Sequence, residues 1–101
     1  GKNLTALSQL AKLIKTTPNE PKLYIQRAKI YMKSENWAMA EMDFAMSLDY
    51  DPNNADVYIQ KGLCRFYQGN SSGACSDWKN ALRLGSFEAQ ELIYRNCKSE
   101  K

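Results

Sequence analysis

Three observations predict an all-α fold, a right-handed superhelical stack of antiparallel helix pairs with about six helices. The first is an internal period of about 34 residues, the length of a helix–turn–helix unit that stacks side by side with its neighbours. Tyr24-Ile25-Gln26-Arg27-Ala28 returns as Tyr58-Ile59-Gln60-Lys61-Gly62, and Ala40-x-x-Asp43-Phe44 returns as Ala74-x-x-Asp77-Trp78. The second is apolar spacing of three and four residues within each unit. The third is regular punctuation: Thr17-Pro18-Asn19 stands one period before Asp51-Pro52-Asn53, and Gly85-Ser86 closes the next unit. Proline disfavours helix in the residue before it, which gives the first two breaks a physical cause.

The elements follow in order. Leu4 to Thr16 carries Leu4, Leu7, Leu10, Ala11, Leu13 and Ile14, and predicts a helix. Ala6 and Leu10 sit one period before Ala40 and Phe44, so this helix reads as the second half of a repeat. Asn19-Glu20-Pro21 is a cap-type start, and the helix it opens runs to Ser34. Trp37 to Tyr50 follows the polar break at Glu35-Asn36. Asn53 or Asn54 is suited to cap the next helix, Ala55 to Gln68. Gly69-Asn70 turns the chain into Ser71 to Leu84. Gly85 suits a left-handed cap, and Ser86 caps a last helix from Phe87 to about Cys97. The chain is thus read as a single domain over 1–101. It divides into a half repeat at 3–18, repeats at 19–52 and 53–86, and a terminal capping helix at 87–101.

Composition narrows the function classes. Of 101 residues, 44% are apolar and 25% charged, which is too apolar for disorder. Fourteen basic residues against 11 acidic ones are spread along the chain, so no nucleic-acid arm or polybasic membrane patch is expected. No apolar stretch approaches the roughly 20 residues that cross a bilayer. Gly1 stands where an initiator Met would, and reads as a trimmed start. Histidine is absent, which removes the commonest general base and metal ligand. With no phosphate-binding loop and no convergent acid pair either, no enzyme, cofactor or metal is expected.

At these repeated residues the chain resembles the tetratricopeptide repeat (TPR) family. The resemblance covers about residues 3–86 and rests in unit one on Tyr24, Ala28, Tyr31, Ala40, Phe44 and Pro52. The small residues Ala28, Gly62, Ala40 and Ala74 allow close helix approach, and the aromatics fill the gaps between units. Unit two departs: Arg65 stands where Tyr31 stood, with Phe66 beside it to supply the aromatic, and Ser71 and Ser86 replace Trp37 and Pro52. Arg27 and Lys61 occupy a position where the family usually has Leu. The tail from Gly73 to Cys97 looks like that of small bacterial members of the family, several of which are exported.

The resemblance implies a concave surface lined by the first helix of each unit, a shape for a partner peptide or protein. By that analogy the inward residues are Lys22, Ile25, Gln26, Lys29 and Met32 from unit one. From unit two they are Asp56, Ile59, Gln60, Leu63 and Phe66, with Tyr67 at the edge. Ile25, Ile59, Leu63 and Phe66 would supply apolar contact. Lys22, Lys29, Gln26 and Gln60 would fix orientation, with the lysines implying some acidic character in the ligand. Changing Ile25 and Ile59 together to Glu is expected to abolish capture and leave the helices intact. The family's Lys-and-Asn clamp for a C-terminal carboxylate is not evident, because Ile25 and Ile59 occupy its places. The alternatives are an ordinary surface, or self-assembly through the apolar stripe of the front half unit.

Among the remaining candidates, Cys75 and Cys97 lie 10 or 11 residues either side of the Gly85-Ser86 turn. In an antiparallel hairpin they come level, so either a disulfide or two packed thiols is expected. A disulfide would favour an exported protein, and its absence a cytoplasmic one. Cys64 reads as a packed thiol. Glu41, Asp43, Asp49 and Asp51 read as a solvated convex face, and Trp37, Phe44, Trp78, Tyr24, Tyr58 and Phe87 as stacking core.

Overall fold

The computed structural model describes residues 2–98; the trimmed start read at Gly1 and positions 99–101 of the terminal segment lie outside the described residues. Among the described residues the chain forms helices α1 (Lys2–Thr16), α2 (Pro21–Lys33), α3 (Trp37–Tyr50), α4 (Ala55–Tyr67), α5 (Ser71–Arg83) and α6 (Phe87–Asn96). Consecutive helices pack against one another, and the stack is elongated, 48 × 25 × 17 Å. Fold class and helix order are those the period predicts.

Side chains start the helices. Asn36, Asn54, Asn70 and Ser86 accept from the backbone N–H three residues on, satisfying donors that the first turn leaves unpaired. Helix α2 differs from expectation: Glu20, not Asn19, is its cap and accepts from the Lys22 N–H. Helices α2, α4 and α5 stop one residue early, at caps Ser34, Gln68 and Leu84. The next residue in each case turns left-handed: Gly69 (φ 86°), Gly85 (φ 101°) and, less comfortably, Glu35 (φ 58°). Glycine carries no Cβ to clash there; glutamate does.

The core has two parts, and α4 serves both. Its Val57 and Cys64 join Ala28, Ala40, Phe44 and Leu48 on one side. Its Ile59 joins Ala74, Trp78, Ala81 and Ala89 on the other. Small and large residues are matched across each unit. Where unit one has Ala28 and Phe44, unit two has Gly62 and Trp78. A Cβ on Gly62 would lie 2.7 Å from Trp78 Cδ1, so the wider indole requires the smaller partner. Trp78 is fully buried and its Nε1 donates to the Ile59 carbonyl. Phe66 packs on Trp78 at 5.9 Å between centroids, the role expected for it once Arg65 replaced the usual aromatic. Phe87 does not join the core. It is 84% exposed. The residue one period after Tyr58 is Leu92, which packs against the core in that place.

Candidate functional site

The acids at 41 and 43 are not solvated, contrary to the sequence expectation. Asp43 is 4% exposed and takes both Arg27 Nε and Nη2 in a two-pronged pair at 2.8 and 2.9 Å. Asp77 repeats this one unit later, 3.3 Å from Lys61 Nζ and 3.4 Å from Arg65 Nη1. A carboxylate taken out of water needs a cation, which explains why Arg27 and Lys61 replace leucine. Burial still pushes the Asp77 carboxyl up, against the pull of Lys61 and Arg65. Glu41 is half-buried and accepts from Arg65 Nε and Gln68 Nε2, both at 2.8 Å. Burial raises its pKa, but the two hydrogen bonds together with the charges of Arg65 and Lys61 outweigh this and hold it below the usual range. Asp49 and Asp51 are exposed, as expected. These ion pairs fasten α2 to α3, α3 to α4 and α4 to α5.

The residues assigned to the concave face divide by burial. Lys22, Gln26, Lys29, Asp56 and Tyr67 are exposed, and Gln60 and Leu63 are half-buried. Ile59 is 1% exposed and sealed among Trp78, Ala74 and Ala89, so it cannot touch a ligand. Ile25 and Met32 are half-buried against the first core cluster, and Phe66 against the second. The apolar floor read from the sequence is therefore largely packing surface between neighbouring first helices. An Ile59→Glu change would place a carboxylate in the core, so the proposed double change would not spare the fold.

What lies open is more basic and amide-rich. Lys33, not singled out from the sequence, is exposed and lies seven and eleven residues from Gln26 and Lys22. At 100° per residue, Lys22, Gln26, Lys29 and Lys33 share one face of α2. Gln26 and Lys29 border an open hollow of about 400 Å³ between α1 and α2. Ala6, Gln9, Leu10, Leu13 and Ile30 complete it, so the half unit contributes a wall that sequence reading missed. Tyr67, at the far edge, stacks on Trp37 with centroids 4.7 Å apart.

Cys75 and Cys97 are joined in a disulfide with Cα atoms 5.9 Å apart, tying α5 to the end of α6. Cys64 is buried and free, its thiol pushed up to about 12 by burial and the nearby acids Glu41 and Asp77. Such a thiol is inert at neutral pH. Among the described residues there is no cluster of acids and cysteines suited to a metal, and no helix long and apolar enough to cross a membrane.

No protein-family model matches the chain. It is 29% identical over 79 residues to the human Protein SGT1 homolog, covering 78% of this chain and 22% of that protein. It is 35% identical over 78 residues to human Tetratricopeptide repeat protein 13, covering 77% of this chain and 9% of that one. The chain thus spans about a quarter or less of these relatives. Among solved structures it is similar to the first TPR of Spaghetti (RPAP3) bound to the HSP90 peptide SRMEEVD. The TM-score there is 0.84 at 26% identity, over 94% of this chain and 77% of that one. These curated relatives are human, and the bacterial likeness read from the tail finds no support among them.

Proposed function

We propose that this chain, a tetratricopeptide-repeat domain, is a protein-interaction module that holds an acidic, partly apolar peptide segment across its first helices. The observation that carries the reading is the face of α2: Lys22, Lys29 and Lys33 with Gln26 between them, opening onto the apolar hollow behind Leu10 and Leu13. Lysines on that face attract carboxylates, the hollow accepts an apolar side chain, and Gln26 and Gln60 pair with extended backbone. The similarity to a domain bound to a peptide containing two Glu and one Asp supports the same chemical class. Isoleucine at 25 and 59 argues for contacts other than the family's carboxylate clamp. The disulfide favours work in an oxidising compartment.

Fluorescence anisotropy tests this with labelled acidic and basic peptides of matched hydropathy. The acidic peptide should bind, and Lys29→Glu with Lys22→Glu should weaken it at least tenfold with the melting curve unchanged. Equal affinity for both peptides, or binding that survives the double change, would defeat the reading.

A second reading has an observation of its own. Leu4 and Leu13 on α1 are 69% and 49% exposed, and α1 packs chiefly on α2. A second copy that covered this stripe would make the chain a self-assembling unit. Sedimentation at rising concentration decides it: a constant monomer mass removes this alternative.

A further inference from the structure

A hollow of about 430 Å³ lies away from the concave face. It opens between α5 and the end of α6, and both sulfur-bearing residues of the disulfide, Cys75 and Cys97, form part of its wall. Neither cysteine is fully buried. Around them stand Lys79, Arg83 and Lys98, with Asn96 and a row of serines, and none of the described lining residues is acidic. Arg83 is steadied by donating to Asn80.

We propose that this hollow is a reaction site at which a small anionic thiol, one bearing carboxylates of its own, binds and exchanges with the Cys75–Cys97 disulfide. The cavity gives access, and the three cations give the charge preference. The chemistry balances without further partners. The incoming thiolate attacks one sulfur, forms a mixed disulfide with it, and expels the other as a thiolate. That thiolate leaves beside Lys79, Arg83 and Lys98, where positive charge stabilises it. A second thiol completes the exchange, leaving two cysteine thiols and the oxidised small-molecule disulfide. The tether between α5 and α6 is then gone, and Ala89, Leu92 and Ile93 still pack α6 against the core.

The probes are glutathione, which is anionic, and cysteamine, which is cationic. Reduction of the intact chain is followed per unit of thiolate, with each thiol normalised by its rate on a small uncharged disulfide. Glutathione should be roughly tenfold faster than cysteamine after that correction, the lower end of electrostatic focusing in a charged cleft. High salt should flatten the difference. Lys79→Glu with Arg83→Glu, both on the exposed helix surface, should reverse it while the melting curve of the oxidised chain stays in place. Lys98→Glu, outside any helix, should weaken the preference without touching the fold. Two outcomes overturn the proposal: no charge preference beyond that shown toward the small disulfide, or a preference that the variants leave unchanged. So does the titration of three free thiols in the chain before any reductant is added.

Discussion

Cys75 stands one repeat after Glu41, and the two side chains fasten the stack in the same way. Each lies in the first turns of the second helix of its unit. Glu41 reaches forward to Arg65 and Gln68 at the end of α4, and Cys75 reaches forward to Cys97 at the end of α6. An ionic tie in one unit is replaced by a covalent tie in the next. Among the described residues α6 packs chiefly on α5, and the covalent link joins that pair.

The covalent tie closes a separation of 22 residues, which in the loop-entropy picture contributes about 3 kcal/mol. Cys75→Ser with Cys97→Ser should lower stability by that order. Hydrogen exchange should accelerate first across Phe87–Asn96 and leave α2 and α3 protected. Uniform loss of protection along the chain would contradict a local role.

The ionic tie is pH-dependent, with a definite sign. The Glu41 pKa is depressed in the folded chain, so its contribution is present above the ordinary glutamate range and is lost as pH falls through the folded value. The stability difference between the native chain and Glu41→Gln should be flat near neutrality and close in acid. A difference that widens in acid would mean the sign is wrong.

Arg27 and Asp43 form a buried-side pair of a different kind. Asp43→Ala leaves the guanidinium without that partner, and should cost about 3 kcal/mol, the lower end for a broken buried pair because Arg27 keeps some solvent. Replacing both residues with leucine should recover most of that loss. Denaturant melts of the single and double variants separate the two effects; a double change as damaging as Asp43→Ala would contradict the account.

Glu35 occupies the left-handed turn position that glycine holds one repeat later, at Gly69. Glu35→Gly should therefore stabilise by about 1 kcal/mol, despite the greater freedom of glycine in the unfolded chain. Gly62→Ala should do the opposite, because the new Cβ meets the buried indole of Trp78. A rise of several degrees in melting temperature for the first and a fall for the second is the expected pattern. A neutral Gly62→Ala would show that Trp78 can move.

Much of this was legible in the sequence. The internal period gave the helices in order, and the small residues marked where helices meet. The Arg27–Asp43 and Lys61–Asp77 pairs were legible too, as opposite charges at the same sequence separation in both units. They were missed because a charge on a helix is ordinarily read as solvated. The isoleucines failed for the converse reason. Ile59 meets the next unit's helix at Ala89 rather than a ligand. What no pattern of residues conveyed was the hollow between α1 and α2, whose walls come from helices with no repeat relation to each other.

The most direct test of the interaction surface is an NMR titration of the chain with an acidic, partly apolar peptide, read residue by residue. The account predicts shifts concentrated at Lys22, Gln26, Lys29 and Lys33, at the hollow-lining Leu10 and Leu13, and at Gln60 and Leu63 across the groove. Shifts centred instead on the exposed methionines of α3, Met39, Met42 and Met46, or none with any acidic peptide, would contradict it.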